Sequence, residues 1–272
     1  VGGPASYFVT PETEEEIAKV IEVCTQENVP YYIVGNGSNL LVGDKGFRGA
    51  IIQLYKSMGT FQVEGNQITA QAGCSLAQIA NAALDAALTG FEFAAGIPGT
   101  LGGAVVMNAG AYGGEMKDVL TSVRVMTEEG EIMELPAEEL GLGYRTSIIP
   151  EKRYIVLGAV ISLTEGKKEE IKAQMDDLRQ KRVSKQPLEY PSAGSTFKRP
   201  EGYFAGKLIQ DSGLKGFTVG GAQVSEKHSG FVINKGNATA ADVMELIRQV
   251  TAKVKEDTGV TMEPEVKQIG EF

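Results

Sequence analysis

Residues 93–114 read Phe-Ala-Ala-Gly-Ile-Pro-Gly-Thr-Leu-Gly-Gly-Ala-Val-Val-Met-Asn-Ala-Gly-Ala-Tyr-Gly-Gly: 22 residues without a charge, with seven glycines and one proline. A surface loop carries charge, and a core element does not tolerate this much Gly. A backbone stripped of side chains lets something large come close. The run is long enough to span a bilayer, but its glycines, Pro98 and Asn108 argue against a membrane helix. A smaller relative, Gly35-Asn36-Gly37-Ser38-Asn39-Leu40-Leu41, follows the apolar run Tyr31-Tyr32-Ile33-Val34. Two glycine-rich loops, one after an expected strand, point to a phosphate-bearing cofactor held mainly by backbone N–H groups.

The rest of the chain narrows the choices. Net charge is −9, and no basic face runs along the sequence, so nucleic acid is not an expected partner. The basic run 179–185 reads as a solvated helix end. Cys24 and Cys74 lie in apolar patterns outside any CxxC and read as buried thiols. His228 is the only histidine, and its neighbours Glu226, Lys227 and Ser229 read as a solvated turn. A histidine metal site is therefore not expected. Neither GxGxxG nor GxxxxGK[ST] occurs in its strand-loop-helix context. A chain with so little redox chemistry of its own calls for an organic cofactor. No leader-like segment is read, and the cytoplasm is the expected location. The chain opens on Val1, so a native segment is expected ahead of it.

Secondary structure follows from period and punctuation. Thr10-Pro11-Glu12 is expected to open a helix carrying Ile17, Val20, Ile21 and Cys24. Strands are expected at 31–34, 50–54, 119–126, 131–135 and 154–163, and a hairpin at 61–69. Ser75 opens an Ala-rich helix to 88, and a charged helix runs over 167–185. A third unit holds a helix over 203–211, a strand at 231–234 and a Thr239-capped helix to about 258. The sheets read as antiparallel, which excludes a doubly wound Rossmann pattern. The divisions expected are 1–54, 55–165 and 166–272.

The segments 31–41, 95–104 and 108–113 resemble the FAD-binding loops of the UDP-N-acetylenolpyruvoylglucosamine reductase family. Three further segments agree in order: Gly143-Tyr144-Arg145-Thr146-Ser147, residues 192–200 (Ser-Ala-Gly-Ser-Thr-Phe-Lys-Arg-Pro) and Glu263-Pro264-Glu265-Val266. The loop 95–104 alone would indicate only the wider FAD-binding superfamily that includes vanillyl-alcohol-oxidase-like enzymes. The resemblance implies an α+β fold: a two-part FAD-binding domain of that type, then a smaller α+β substrate-binding domain. It also implies that NADPH reduces FAD and that the enolpyruvyl ether of UDP-N-acetylglucosamine is reduced to UDP-N-acetylmuramate, in peptidoglycan precursor synthesis. The short span between Leu163 and Ser195 resembles the family branch without an extra tyrosine-bearing loop. Arg199 is then the expected compensating contact to the substrate diphosphate. A monomer is expected.

Residue roles carry over by motif. Arg145 would bind the substrate carboxylate and stabilise the enolate. Glu265, as the protonated acid, would assist, since burial beside an anion raises a carboxyl pKa. Ser195 would give the α-carbon its proton. The expected FAD contacts are Tyr31, Val34, Gly35, Asn36, Gly37, Ser38, Asn39 and Leu40. They continue with Gly96, Pro98, Gly99, Thr100, Gly102 and Gly103; the backbones of 35–40 and 99–103 would cradle the pyrophosphate. Asn108, Gly110, Ala111 and Gly113 complete them, against the flavin or its ribityl chain. Tyr144, Lys198, Arg199, Lys207, Gln210 and Asn234 are the expected substrate contacts. Taken singly, Arg145 reads rather as an interdomain ion pair, Ser195 as a helix or turn cap and Glu265 as a surface carboxylate; their joint occurrence in three matching motifs favours the catalytic roles. Two other functions fit the glycine loops: an alcohol or lactone oxidase of the same flavin fold, and a non-catalytic flavin or nucleotide-sugar module. The oxidases often attach flavin through histidine, and His228 lies outside both loops.

Overall fold

A computed structural model describes residues 1–272. The chain forms two compact units, one of residues 7–37 and 49–181, the other of 1–6, 38–48 and 182–272.

In the first unit the helix Glu14–Gln26 leads into the strand Tyr31–Val34, which pairs in parallel with Phe47–Gln53, Tyr31 opposite Ala50 and Val34 opposite Gln53. The helix begins three residues later than Thr10 would put it. Thr13 is its cap, with its hydroxyl accepting from Glu16 N–H at 3.1 Å, and Glu14, Glu15 and Glu16 sit against the positive end of the helix dipole.

A five-stranded antiparallel sheet follows, ordered Ile132–Pro136, Leu120–Met126, Ile155–Ser162, Gln67–Gln71, Phe61–Glu64. Ile155–Ser162 is central, and its near-continuous apolar sequence matches burial on both faces. Over it packs the helix Leu101–Val106, and Leu76–Asp85 belongs to the same core. A capping box between Ser75 and Gln78 opens the latter helix. Ile17, Ile52, Ile68, Leu76, Ile79, Leu101, Val123, Leu157 and Ile161 make one continuous core.

The second unit is an antiparallel sheet ordered Ser192–Ser195, Phe231–Asn234, Ala222–Val224, Thr218–Val219, covered by Ala205–Asp211 and Ala240–Thr258. Thr239 and Asp242 form a capping box at the start of the last helix, and Gly259 ends it at φ +75°. Asp44 adds a second anchor there, accepting from Ala240 and Ala241 N–H at 2.7 and 2.9 Å. Leu40–Val42 pairs in parallel with Lys267–Ile269.

Two ladders are thus parallel where the sequence read as wholly antiparallel. A parallel partner distant in the chain has no turn residues to announce it. His228 also departs from its solvated-turn reading. It is half-buried, lies edge-on to Phe231 at 5.0 Å between centroids, and accepts from Gly230 N–H at Nδ1 (3.1 Å). The bare backbones of Gly206 and Gly230 leave room for the ring, and burial lowers its pKa. No helix is long and apolar enough to cross a membrane. The uncharged run is instead broken into the turn of helix Glu92–Ala94, the helix Leu101–Val106, and a two-residue pairing of Gly110–Ala111 with Gly114–Glu115.

Both thiols are buried, and burial pushes Cys74 up to about 11. At pH 8 an aromatic disulfide reagent is expected to leave native protein unlabelled and to label both cysteines on unfolding; rapid labelling of Cys74 in folded protein would contradict this burial. A Cβ on Gly73 would run into the carbonyl of Leu54, whereas Gly65, at φ +57°, has open space around it. Gly65→Ala should therefore cost about 1 kcal/mol of stability from its left-handed backbone, and Gly73→Ala several times more, as read by chemical denaturation.

Candidate functional site

In the first unit the two glycine loops meet. Tyr31–Val34 delivers Gly35, Asn36 and Gly37, and Asn36 Nδ2 donates to the carbonyl of Pro98 at 2.9 Å. Gly35 lies so close to Thr100 that a Cβ would collide with the Thr100 hydroxyl. Gln53 Nε2 donates to Gly35 O at 3.2 Å and fixes the loop from behind. The second loop is stitched to residues 72–76: Leu76 N–H donates to Gly99 O (3.1 Å), and Leu101 N–H to Cys74 O (2.9 Å). Val34 is buried at the strand end. Tyr31 turns its hydroxyl to Glu128 at 3.3 Å, and burial and that carboxylate raise its pKa.

Within residues 99–103 the protein takes some of the backbone donors itself. Gly102 N–H is taken by Ala72 O at 2.9 Å, Leu101 N–H by Cys74 O, and Gly103 N–H by the Thr100 hydroxyl at 3.5 Å. Gly102 is there for packing, its Cα face against Ala72. Asn36, Gly37, Gly99 and Thr100, by contrast, have N–H groups that meet no acceptor in the protein. Orphan donors on two adjoining bare loops are what a phosphate-bearing group requires. Gly37 (φ +67°) and Gly113 (φ +95°) have open space on their Cβ side, so a large planar or sugar-bearing group is not obstructed there. These residues fit FAD.

Asn108 is held by the protein itself. Its side chain is fully buried and engaged with the protein: Nδ2 donates to Glu115 Oε2 (2.8 Å) and Gly143 O (3.0 Å), and Oδ1 accepts from Lys117 N–H (2.9 Å). Any contact it makes to a cofactor is through its backbone. Gly110 and Ala111 lie just beyond, in the short pairing whose tip carries Tyr112 and Gly113 at positive φ. Gly143 opens a tight turn closed by reciprocal bonds with Thr146 (3.2 and 3.3 Å). That turn holds Arg145 at φ +55°, a left-handed conformation costly for a side-chain-bearing residue. Arg145 Nη2 donates to Gly110 O at 3.3 Å, and its guanidinium lies 5.1 Å from the ring of exposed Tyr144. Glu115, the first charge after the uncharged run, was legible as its boundary but not as the partner of Asn108.

The second unit gathers another set. Ser195 is exposed at the end of Ser192–Ser195, opposite Phe231 and beside a register shift, with Gly194 at φ +79°. The next residue, Thr196, is buried: its N–H donates to Gly230 O (2.9 Å), its hydroxyl accepts from Val232 N–H (2.9 Å), and its carbonyl accepts from Glu265 N–H (2.8 Å). Asn39 Nδ2 donates to Glu265 O at 3.2 Å. Ser195, half-buried Glu265 and Asn39 are thereby strung on one hydrogen-bonded frame. Ser38 and Leu40 flank Asn39.

The expected substrate contacts divide. Lys198 pairs with Glu263 (3.0 Å), and Arg199 lies over the Phe204 ring at 4.4 Å. Lys207 pairs with Asp211 one helical turn on, at 2.8 Å, and Gln210 is exposed on the same helix. Asn234 Oδ1 accepts from Gly236 and Ala238 N–H (3.1 and 3.0 Å), leaving its NH₂ end for a ligand. No cluster of His, Cys, Asp and Glu is arranged to hold a metal ion.

A family model described as FAD binding domain matches residues 5–136. The fold and its orphan donors thus define an FAD-binding oxidoreductase. A second model, UDP-N-acetylenolpyruvoylglucosamine reductase, C-terminal domain, matches residues 186–269. The reductases of that name from Caldanaerobacter subterraneus subsp. tengcongensis and Clostridium perfringens are 56% and 58% identical to this chain. They cover 100% and 99% of it, with 89% and 88% of their own lengths matched. The crystal structure of the enzyme from Thermus caldophilus superposes with a TM-score of 0.84 at 39% identity, covering 96% of this chain and 91% of that one. The chain belongs to the UDP-N-acetylenolpyruvoylglucosamine reductase family, and its fold is the α+β arrangement that the loops implied.

Gly35→Ala is expected to yield folded protein with little bound flavin, measured as absorbance near 450 nm per chain. Trimming the obstacle in Gly35→Ala/Thr100→Ala should restore part of it. A Gly35→Ala protein with full flavin content would show that the close approach of the two loops is dispensable.

Proposed function

We propose that the chain uses NADPH and FAD to reduce the enolpyruvyl ether of UDP-N-acetylglucosamine enolpyruvate to UDP-N-acetylmuramate. Bound FAD, reduced by NADPH, supplies hydride to the terminal vinyl carbon. The residues of the chain then handle charge and protons. Arg145 binds the substrate carboxylate with its forked donors and spreads the negative charge of the enolate. Glu265, carrying its proton, donates to the same developing charge. Ser195 delivers a proton to the α-carbon; a hydroxyl is acidic enough for this only toward so basic a carbon.

The observation that carries this division of labour is the bond from Glu265 N–H to Thr196 O, which ties the segment of the charge stabiliser to that of the proton donor. The strained backbone of Arg145 supports its part, since such strain persists where the surrounding structure requires a side chain in one place. Tyr144, Lys198, Arg199, Lys207, Gln210 and Asn234 contact substrate on this reading, and Arg199 covers the diphosphate. The same reading gives a monomeric cytoplasmic enzyme with a flavin region over 1–165 in two parts, divided after residue 54, and a substrate region over 166–272.

Ser195→Ala tests it in two half-reactions. NADPH should bleach the flavin of the variant at nearly the normal rate in stopped flow. Reoxidation by UDP-N-acetylglucosamine enolpyruvate should slow at least 100-fold. Normal reoxidation would remove Ser195 from the proton-donor role, and a flavin that NADPH cannot bleach would remove NADPH as reductant.

A further inference from the structure

The amide of Asn108 does work that the flavin reading leaves unexplained. It sits in the middle of a glycine-rich loop, at φ +42°, yet its side chain points wholly into protein. Two acceptors face Nδ2: Glu115 Oε2 at 2.8 Å and Gly143 O at 3.0 Å. One donor, Lys117 N–H, faces Oδ1 at 2.9 Å. Only an amide of this length satisfies all three, because a carboxylate would place an acceptor against two acceptors.

Gly143 is no ordinary partner. Its carbonyl also accepts from Thr146 N–H, so one oxygen receives both the bond that closes the Arg145 turn and the bond from Asn108. Arg145 then reaches back to Gly110 O, two residues beyond Asn108. The result is a closed ring: Asn108 side chain, Gly143, Arg145, Gly110, and back along the chain to Asn108. Such a ring fixes the direction of Arg145 against the strain of its left-handed backbone, which is the condition under which that strain persists.

We propose that Asn108 is a positioning residue for Arg145, acting through the Gly143 carbonyl, with Glu115 holding the amide in orientation. The proposal rests on the reading of Arg145 as the group that binds the substrate carboxylate. Glu115 contributes to stability; the Gly143 bond contributes to the placement of the arginine. The Glu115 arm can be cut on its own. Glu115→Ala removes one arm and leaves the Gly143 bond. Asn108→Ala removes both, and Asn108→Gly does so without a side chain in the left-handed region, so backbone strain is not confounded with the lost bonds.

Five quantities are compared for flavin-loaded protein: melting temperature, flavin content, kcat and KM for the enolpyruvyl substrate, and hydrogen exchange of the peptide covering 143–147. For Glu115→Ala the expectation is a lowered melting temperature with kcat within about twofold of the parent. For Asn108→Ala and Asn108→Gly it is normal flavin content, kcat lowered at least tenfold, and exchange at 143–147 faster by a similar factor. On this reading Arg145 acts on the enolpyruvyl substrate, so the reduction of flavin by NADPH should be unchanged in all three. The proposal is overturned if either Asn108 variant keeps kcat within twofold. It is also overturned if kcat falls with melting temperature alike in Asn108 and Glu115 variants, the result of a purely structural role. If Asn108→Ala does not retain flavin, Asn108→Gly decides by the same criteria; loss of flavin from both variants also overturns the proposal. Arg145→Lys separates the layers: a fully active Arg145→Lys sinks the arginine reading itself, whereas a slow Arg145→Lys beside fast Asn108 variants sinks only this inference.

Discussion

The approach of a bare backbone, Gly35, to the side chain of Thr100 organises the flavin half of the molecule. The strand Tyr31–Val34 ends there, the helix Leu101–Val106 begins there, and Asn36 bonds across to Pro98. Without a side chain at position 35 the two loops close to a distance that no other residue type permits. That closeness places orphan N–H groups from both loops side by side. Asn36 and Gly37 are exposed, so water meets their donors until a ligand displaces it; a donor removed from water without an acceptor costs about 1–3 kcal/mol. Cofactor binding and loop packing are therefore one problem with one solution.

The same economy governs the second half. Thr196 is a buried polar residue whose N–H and hydroxyl both bond to residues 230–232, and whose carbonyl bonds to Glu265. Ser195 precedes it in the chain, and Glu265 N–H bonds to its carbonyl. Burying a polar group is unfavourable unless every bond is made. Here the completed set of bonds gives a rigid frame on which two more exposed groups are carried.

Much of this was legible in the sequence. Thr239 and the spacing of Val243, Leu246, Ile247 and Val250 mark the last helix almost to the residue, because caps and period are local signals. The hairpin of Phe61–Glu64 with Gln67–Gln71 is local in the same way. What escaped was long-range or already in use. Asn108 reads as a polar residue in a flavin loop, but its partners lie at 115, 117 and 143, and no spacing rule reaches Gly143. Gly102 reads as a phosphate-cradle glycine, whereas Ala72 claims its N–H. Glycine and amide residues are ambiguous for one reason: the same absence of bulk, or the same pair of donors, serves a ligand or the protein's own packing. Thr13 supplanted Thr10 as a cap because three glutamates follow it directly, a cue visible in the sequence and outweighed there by Pro11.

The parallel pairing of Leu40–Val42 with Lys267–Ile269 has a consequence for how the molecule comes into being. During synthesis the first of these strands leaves the ribosome long before its partner exists. It must wait, unpaired, while every intervening residue is made. The five-stranded sheet has all its strands once residue 162 has emerged, and its core can close while the rest is still being translated. The unit that carries Ser195 and Glu265 closes its parallel ladder only near the end, and contacts of such sequence separation form slowly. A newly made chain therefore passes through a stage in which the flavin-binding half is folded and the proton-donating half is not. In that interval the exposed edge of residues 40–42 is a place for a chaperone to hold or for a neighbouring chain to pair wrongly.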